Sequence, residues 1–560
     1  MKNILKKFLV LTLFIGVACD LDGDLEDPNQ ISLSGADDNL IMNSLQLDFA
    51  DFFSSSQSAV NPLVRMEAMT GGFRYQTANQ PEAVNNLWTI AYSGVLINAE
   101  VLINSASQKN LTTHVAVAKI LQAYTYLTLA DIFGDVPMAN ALSGETGNFN
   151  PTTSTGAEVY TRAIELLTEA RTELAKTGSE AGQGLTRDIF YGGNRTRWNA
   201  LANTLELKAW LNLSLIPARK AEADTKIATF VNPTTGASVA DLIDTPEEAF
   251  TYKYGTATVP DGSRHPLYDQ YYDPVPGNAG GYIANYFLKE AFNGLEVEDP
   301  RWRYYFYRQV GSIARALEVD PKSLGCAPGA IPDHYAEVGA VFCVFDPGFY
   351  GRDHGDASGV PPDSPVITCA GVYPAGGRID NTSTANANYA GTTVRGDGAN
   401  GAGIEPVWMA FYTDYLKAEI VFRAGNTATA RTLLTTAVQN SINQIRAFAT
   451  SKSQTTTREP NNPAYIAAVE AAYDAAADKL DVIGREFYVA CWGNGIEAYN
   501  NYRRTSAPVN LQPTIQLNPG VFFRSYVYPA VYVNLNSTAV QKDPTVTNKV
   551  FWDTNPDNLQ

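Results

Sequence analysis

The chain has 560 residues, of which 45% are hydrophobic, 11% aromatic and 18% charged. This balance is typical of a folded globular protein and excludes a disordered chain, collagen and a long coiled coil. The 58 acidic residues outnumber the 41 basic ones and give a formal net charge of −17. The negative electrostatic field of such a protein repels phosphate backbones, so we expect no nucleic acid among its partners.

The N-terminus has the features of an export signal. Three lysines precede an apolar run over residues 8–18, and Cys19 follows directly. The run is too short to span a bilayer as a helix, which needs about 20 residues. Small residues before the cysteine predict a lipoprotein signal peptide over residues 1–18, with lipid attached to Cys19 after cleavage. The alternative is an ordinary signal peptide in which Cys19 stands by chance.

An acidic segment follows the predicted cleavage site. Residues 20–27 read Asp-Leu-Asp-Gly-Asp-Leu-Glu-Asp and have few apolar side chains that could be buried in a core. This pattern predicts a solvated tether over residues 19–35. The rest of the chain, residues 36–560, is then one folded domain.

Export also places the remaining cysteines in an oxidising compartment, where thiols pair. Four cysteines follow Cys19, at positions 326, 343, 369 and 491. We expect one disulfide bond, between Cys326 and either Cys343 or Cys369.

Two stretches have helical periodicity, at about residues 95–216 and 408–504. Apolar residues recur there with the i, i+3, i+4, i+7 spacing of an amphipathic helix. The clearest stripes are Val117, Ile120, Leu121, Tyr124 and Leu127; Tyr160, Ala163, Leu167, Ala170 and Leu174; and Trp198, Leu201, Ala202, Leu205 and Ala209. Consecutive helices of this kind need one another to cover their apolar faces.

Small residues within the helical stretches indicate a tetratricopeptide-like repeat. Such a repeat has a small residue, an apolar residue four positions later and a second small residue three positions after that, where two helices approach closely. The spacing occurs in Ala163, Leu167 and Ala170 and again in Ala430, Leu434 and Ala437. The alternative is an ordinary helical hairpin in an alanine-rich sequence. We predict a mainly α fold, a helical repeat bundle with little β structure.

The middle of the chain, at about residues 250–405, is dense in Gly, Pro, Asp and Asn. Turn signals such as Asp346-Pro347-Gly348 interrupt it repeatedly. A loop region of this length is usually functional or disordered, and its many aromatic residues favour order. We predict a large irregular region packed on the helical bundle.

Several short sequence motifs occur in a fixed order over nearly the whole mature chain. They are LEDPN at 25–29, FGDVP at 133–137, RWNALA at 197–202, GRDHGD at 351–356, GVYPAGG at 371–377, EAYNNYRR at 497–504 and RSYVYP at 524–529. Together with the lipoprotein signal, this order resembles the SusD/RagB-like nutrient-binding lipoproteins of the Gram-negative outer membrane. One position departs from the family: Tyr532 stands where many relatives have Glu.

The resemblance implies a scaffold of about four tetratricopeptide-like helix pairs, with the irregular, ligand-facing half packed against it. It implies a lipid-anchored protein of the outer membrane that is exposed at the cell surface. It also implies a partner, a SusC-like TonB-dependent transporter over which the protein sits as a hinged lid. Family members bind oligosaccharides or peptides and catalyse nothing. We therefore expect a nutrient-binding protein, with an oligosaccharide as the first candidate for its cargo and a peptide as the second.

Three common sequence motifs of catalytic sites are absent from the chain. They are His-Glu-x-x-His, Gly-x-Ser-x-Gly and the phosphate loop. The string GDGANG at 396–401 fits a dinucleotide fingerprint, but it follows an Asn/Thr-rich loop instead of the required strand. A secreted glycan hydrolase stays an alternative, because a sequence neither nominates nor excludes a pair of catalytic carboxylates. A scaffold that holds another protein on its repeat surface is a third hypothesis.

Candidate ligand-binding residues follow from the chemistry of sugar recognition. Aromatic faces stack on the apolar side of a pyranose, and amides or charged groups fix its hydroxyls. Residues 72–88 look like a surface loop of the kind that lines the nutrient face in the family, and we expect the opposing wall from the irregular region. The candidates are Phe73, Arg74, Tyr75, Asn85, Asn86 and Trp88 on the loop, and Tyr271, Tyr272 and Trp302 on the wall.

A Gly-rich loop in the irregular region carries the best cluster of metal ligands, Asp353 and Asp356. We expect no required cofactor, and our hypothesis is that these two residues ligate a structural Ca²⁺, which prefers carboxylate and carbonyl oxygens. The alternative is that these acids and Arg352 hydrogen-bond the backbone of their own loop.

Overall fold

The structure is a computed structural model that describes residues 37–144, 147–260, 262–272, 281–320, 330–358 and 366–556. The predicted signal peptide, the lipidation site Cys19 and most of the predicted tether lie outside these residues, as does Cys326.

Helices dominate both ends of the described chain. The first half contains α1 (Asp38–Val60), α2 (Tyr75–Ala78), α3 (Asn85–Ile90), α4 (Ile97–Gln108), α5 (Thr112–Phe133), α6 (Gly156–Ala175), α7 (Arg195–Leu213) and α8 (Lys220–Ile227). The last third contains α14 (Ala410–Arg423), α15 (Thr427–Ser451), α16 (Asn462–Ala475), α17 (Lys479–Ala490), α18 (Gly495–Thr505) and α19 (Ala530–Leu535). The prediction of a mainly α fold is confirmed.

The middle is irregular, with short helices between long connections. These helices are α9 (Pro266–Tyr272), α10 (Asn285–Asn293), α11 (Trp302–Tyr305), α12 (Ile313–Val319) and α13 (Asp333–Glu337). The strands are β1 (Val136–Pro137), β2 (Thr153–Ser154), β3 (Phe250–Lys253), β4 (Phe306–Tyr307), β5 (Cys369–Ala370) and β6 (Ile404–Trp408). They form two-stranded antiparallel sheets that pair β1 with β2, β3 with β6 and β4 with β5.

The helices pack against one another most extensively in two pairs, α5 with α6 and α14 with α15. Ala163 and Ala170 on α6, and Ala430 and Ala437 on α15, have no exposed surface, as the repeat spacing predicts. Because an alanine leaves room for a neighbouring backbone, these positions set how closely the helices of each pair approach.

Two of the repeat helices begin at clear N-terminal caps. Thr155 and Glu158 form a capping box at α6, in which each side chain accepts a hydrogen bond from the other residue's backbone N–H. The side chain of Asn194 accepts from the backbone of Arg197 at the start of α7. These caps satisfy amide groups that the first turn of a helix leaves free, so the local sequence defines where each helix begins.

The sheet of β3 and β6 holds a buried carboxyl group. Glu405 lies opposite Tyr252, and its Oε1 atom accepts a hydrogen bond of 3.0 Å from the hydroxyl of Tyr254. The ring of His265 lies 4.0 Å away, and burial lowers the pKa of that ring to about 3, so it is neutral. Burial raises the pKa of Glu405 from 4.5 to about 8.

This shift predicts a pH-dependent stability that Glu405→Gln removes. The folded protein binds the proton of Glu405 more tightly than the unfolded chain does, so the free energy of unfolding falls as the pH rises from about 4.5 to about 8. We expect the wild type to lose stability relative to Glu405→Gln between pH 5 and pH 8, as measured by urea unfolding. Equal losses in both proteins would contradict the assignment.

The structure tests part of the predicted cysteine pairing. Cys343 is disulfide-bonded, whereas Cys369 and Cys491 are free, buried thiols. Cys369 is therefore not the partner of Cys326. Burial raises the pKa of the Cys369 thiol to about 12, so this thiol is unreactive at neutral pH.

Candidate ligand-binding cleft

A cleft of about 1070 Å³ opens between three parts of the chain. Arg65 and Tyr75 belong to its floor, α13 and Val338 form one wall, and residues between 502 and 522 form the other. Its volume lies just above the range of about 300 to 1,000 Å³ that is typical of small-molecule sites, so it has room for an oligomeric ligand. The cleft is therefore our candidate ligand-binding site.

Arg65 holds the floor of the cleft together. Its guanidinium is fully buried and donates to the carbonyl oxygens of Leu63 (2.5 Å) and Gln512 (3.0 Å) and to the hydroxyl of Tyr75 (2.9 Å). The group also lies 5.6 Å from the ring centre of Phe522. Because Leu63 and Tyr75 come from one part of the chain and Gln512 and Phe522 from the 502–522 wall, Arg65 fixes the floor relative to that wall.

Two further hydrogen bonds join the walls. The hydroxyl of Tyr335 on α13 donates to the carbonyl of Pro513 (2.8 Å), and Nε2 of His334 lies 3.0 Å from the carbonyl of Thr514. Gln512 extends the contact, since its amide donates to the carbonyl of Val341 (2.7 Å). Partly buried hydrogen bonds between its two walls therefore hold the cleft in shape.

The accessible lining is aliphatic and amide-rich. Val338, Val509 and Leu517 are 64%, 66% and 61% exposed, which is unusual for large apolar residues. Exposed amide side chains share the same lining, at Asn510, Gln516 and Asn518. This combination offers apolar contact and hydrogen bonds to one ligand.

The ligand-binding candidates on the predicted loop fall into two groups, and only the first group lies in this cleft or next to a cleft residue in the sequence. Tyr75 lines it, although only 3% of the residue is exposed. Phe73 is 42% exposed and Arg74 is also exposed, and both come directly before Tyr75 without lining the cleft. The first half of the predicted loop therefore leads to the cleft.

The second half of the predicted loop is not a loop. Asn85, Asn86 and Trp88 lie on α3, and Trp88 is only 7% exposed. Its ring centre lies 4.7 Å from those of Tyr92 and Tyr532, so the tyrosine that departs from the family pattern packs on this tryptophan. The expectation of a surface loop over residues 72–88 is wrong for this part, because the aromatic ring packs into the bundle. None of the three residues lines the cleft.

The predicted opposing wall belongs to the core. Tyr271, Tyr272 and Trp302 are 3%, 1% and 0% exposed and do not line the cleft. Trp302 is enclosed by Phe292 and Phe349, and the hydroxyl of Tyr272 donates to the carbonyl of Ala370 (2.8 Å). A ligand would reach these rings only if the core opened.

Two substitutions test whether Phe73 is exposed and Trp88 is packed in the bundle. Phe73→Ala is expected to change the free energy of unfolding by less than about 0.5 kcal/mol, because the side chain is exposed. Trp88→Phe is expected to lower it by about 1 to 2 kcal/mol, because the smaller ring leaves space against Tyr92 and Tyr532. Urea unfolding measures both. A larger loss for Phe73→Ala than for Trp88→Phe would contradict the burial of these residues.

The two candidate metal ligands lie behind the cleft. The carboxylate of Asp353 accepts from the amides of Asn285 (3.0 Å) and Gln512 (3.1 Å) and from the backbone N–H of Cys343 (2.7 Å). Asp356 accepts from the backbone N–H of Ser358 (3.0 Å). These contacts favour the hydrogen-bonded alternative. In the described parts of the chain, no three His, Cys, Asp or Glu residues are placed to share a metal ion.

A Ca²⁺ ion at Asp353 and Asp356 stays a prediction. A loss of thermal stability when a chelator is added would support it, and unchanged thermal stability would argue against it.

Most residues of the cleft that the sequence did not nominate lie on α13 or between 502 and 522. A signal was present, since Val509 and Leu517 are apolar residues within a Pro- and Asn-rich stretch. Such residues are usually buried, and a segment with few means of burying them marks an exposed apolar surface.

Comparison with known proteins agrees with this architecture. The SusD-like family model, described as "Starch-binding associating with outer membrane", matches residues 28–321 and 375–529. No curated protein matches the sequence.

Several solved structures superpose on nearly the whole chain. A SusD/RagB family protein of Bacteroides thetaiotaomicron VPI-5482 has a TM-score of 0.62 at 18% identity, over 93% of this chain and 100% of that chain. A chitin-binding protein has a TM-score of 0.62 at 20% identity, over 94% and 100% of the two chains. A candidate nutrient-binding outer membrane protein of Bacteroides vulgatus ATCC 8482 has a TM-score of 0.57 at 15% identity, over 93% and 100%.

At these identities the superpositions establish the fold, and the family model covers well over half of the sequence. The chain belongs to the SusD-like family.

Proposed function

We propose that this protein captures an oligomeric nutrient at the surface of the outer membrane and delivers it to a SusC-like TonB-dependent transporter. The observation that carries the proposal is the cleft of about 1070 Å³, with its exposed aliphatic and amide lining. The family description, which names starch binding and association with the outer membrane, supports both the activity and the place.

An oligosaccharide is the first candidate for the cargo. The family description and the chitin-binding structural relative both support a glycan. A peptide is the second candidate, because the amide side chains of Asn510, Gln516 and Asn518 would also pair with a peptide backbone. The binding step is weak to moderate in this proposal, since the cargo must leave the cleft again.

The membrane anchor is lipid on Cys19. The lysine-rich start, the apolar run and the acidic segment after Cys19 support this part of the proposal. In this proposal the acidic segment, which stands between Cys19 and α1 in the sequence, joins the anchor to the first helix. The protein then sits above the membrane, where a transporter accepts its cargo.

Binding without catalysis fits the chemistry of the cleft. Glu337 is the only carboxylate among the described residues that line it. Glycoside hydrolysis generally uses two carboxyl groups on either side of the scissile bond. The lining therefore supports a binding protein over a glycan hydrolase.

Isothermal titration calorimetry tests this function directly. The full chain, purified in mild detergent, is titrated with oligosaccharides of several linkages and with short peptides, and the recovered ligands are analysed by chromatography. We expect saturable binding of an oligosaccharide that is recovered intact. Cleavage of a glycan would favour the hydrolase, and binding of peptides alone would replace the first cargo by the second.

A second experiment tests the partner. Extraction of the native outer membrane in mild detergent is expected to copurify the chain with a large TonB-dependent barrel, in an amount that changes when ligand is present. Recovery of the chain without a barrel would contradict the delivery step.

A further inference from the structure

The cleft exposes an aliphatic surface that packing of the fold does not explain. Val338 follows α13, whereas Val509 and Leu517 belong to the 502–522 wall, and each of the three leaves more than half of its surface open. Soluble proteins seldom gather exposed large apolar side chains around one concave site without a function. We call these three side chains the aliphatic rim.

The aliphatic rim rests on fixed supports. Val338 directly follows α13, which the hydrogen bonds of Tyr335 and His334 hold against Pro513 and Thr514. On the floor side, the backbone N–H of Tyr75 donates to the carbonyl of Pro519 (3.0 Å), close to Leu517 in the sequence. The rim is therefore preorganised to receive a ligand, which lowers the entropic cost of binding.

The rings of the cleft are not available as stacking platforms. Tyr75, Tyr502 and Phe522 line the cleft but are only 3%, 4% and 5% exposed. Tyr75 packs against Phe522 and Phe523, with ring centres 5.7 Å and 6.5 Å apart. An unsubstituted sugar commonly binds through a ring face stacked on an open aromatic face, and these rings are too buried to offer one.

Amide groups stand beside the aliphatic rim. The hydroxyl of Tyr286 donates to Oδ1 of Asn510 (3.1 Å), which leaves the NH₂ group of that amide directed to other acceptors. Gln516 and Asn518, the sequence neighbours of Leu517, are exposed and add further amide donors and acceptors to the same lining. A ligand with amide and methyl groups in alternation would satisfy both kinds of contact.

We propose that the cleft selects an oligosaccharide whose sugars carry N-acyl groups, with Val338, Val509 and Leu517 as the residues that determine this specificity. The acyl methyl groups pack on the aliphatic rim, and the acyl C=O and N–H groups pair with the amides of Asn510, Gln516 and Asn518. The inference rests on the proposed function, since it takes the cargo to be a glycan.

Three matched ligands test the inference by calorimetry on the full chain in mild detergent. They are β-1,4-linked hexamers of N-acetylglucosamine, of glucose and of glucosamine, which differ only in the substituent at carbon 2. We expect the N-acetylated hexamer to bind at least about tenfold more tightly than the glucose hexamer. The glucosamine hexamer serves as a charge control, because its ammonium groups would be drawn to the exposed Glu337.

Substitutions in the aliphatic rim give the second arm. Val509→Ser and Leu517→Ser remove apolar surface from exposed positions and are not expected to unfold the protein. They should weaken binding of the N-acetylated hexamer about tenfold and leave any binding of the glucose hexamer unchanged. Val239→Ser, at a residue that is 60% exposed and does not line the cleft, is the matched control and should change neither affinity.

The outcomes distinguish this inference from the proposed function. Equal affinity for the N-acetylated and glucose hexamers, or tightest binding of the glucosamine hexamer, would overturn the acyl selectivity while glycan capture stands. If the protein binds peptides and has no affinity for any glycan, the proposed cargo and the inference are both wrong. If the rim variants lose affinity for the N-acetylated hexamer and the Val239→Ser control does not, the result supports both the proposed cargo and the inference.

Discussion

Replacing Asp131 by alanine is expected to lower the free energy of unfolding by about 3 to 5 kcal/mol, because it leaves several buried donors without an acceptor. Asp131 lies on α5 and has no exposed surface. Its carboxylate accepts hydrogen bonds from the hydroxyl of Tyr160, the indole of Trp552 (2.9 Å) and the amide of Asn500 (2.7 Å), and the ammonium of Lys208 lies 4.0 Å away.

These partners come from four different elements of the fold. α6, α7, α18 and the C-terminal segment therefore meet at one carboxylate, and all of them lose a contact when it is removed. Urea unfolding monitored by circular dichroism measures the loss. The control is Asp224→Ala, since Asp224 and its partner Lys220 are 53% and 57% exposed on α8.

An exposed ion pair of this kind contributes little, so Asp224→Ala should change stability by less than about 0.5 kcal/mol. Comparable losses in the two variants would contradict the central position of Asp131.

Arg301→Ala is the second substitution with a large expected effect, again about 3 to 5 kcal/mol. The guanidinium is fully buried and pairs with the carboxylates of Asp299 (2.6 Å) and Glu486 (2.8 Å). It also donates to Tyr415 (3.3 Å), Ser441 (3.1 Å) and Tyr465 (3.1 Å). In Arg301→Ala, the buried carboxylate of Asp299 would lose its ion-pair partner.

Arg301 connects the irregular region to the helical bundle. Its partners lie on α14, α15, α16 and α17, whereas Arg301 and Asp299 directly precede α11. We therefore expect faster amide hydrogen exchange in α10 and α11 of the variant, in addition to the loss of stability. Arg431→Ala, which breaks a surface pair with Asp474, should leave exchange in these helices unchanged. Unchanged exchange in Arg301→Ala as well would contradict the connecting role.

The repeat helices were predictable because their apolar residues recur with a regular period. The stripes of α5, α6 and α7 are buried as expected. α1 lies before the predicted helical stretch, which began at about residue 95, and the reason is its composition. Gln46, Ser56 and Gln57 are buried on this helix beside Phe49 and Phe53, so polar side chains interrupt the apolar stripe.

Those polar residues are buried because hydrogen bonds within the helix and to a distant part of the chain satisfy them. The amide of Gln46 donates to the carbonyls of Met42 and Arg187, both at 3.2 Å, and Ser56 donates to the carbonyl of Phe52 (2.8 Å). The contact to Arg187 joins parts of the chain that are far apart in sequence, so no local pattern indicates it.

The site was predicted less completely than the fold. Aromatic residues were nominated because sugars stack on rings, but Trp302, Tyr271 and Tyr272 serve the core. The cleft instead combines Tyr75 with α13 and Leu517, whose meeting depends on the buried contacts of Arg65 and Tyr335. Proximity of this kind arises from tertiary packing and leaves no spacing in the sequence.

A crystal structure of the full chain with the most tightly bound oligomer tests the central claim most directly. The account predicts an intact oligomer in the cleft, in contact with Leu517, Val509 and Val338. An oligomer bound elsewhere while the cleft stays free of ligand, or one recovered in cleaved form, would contradict it.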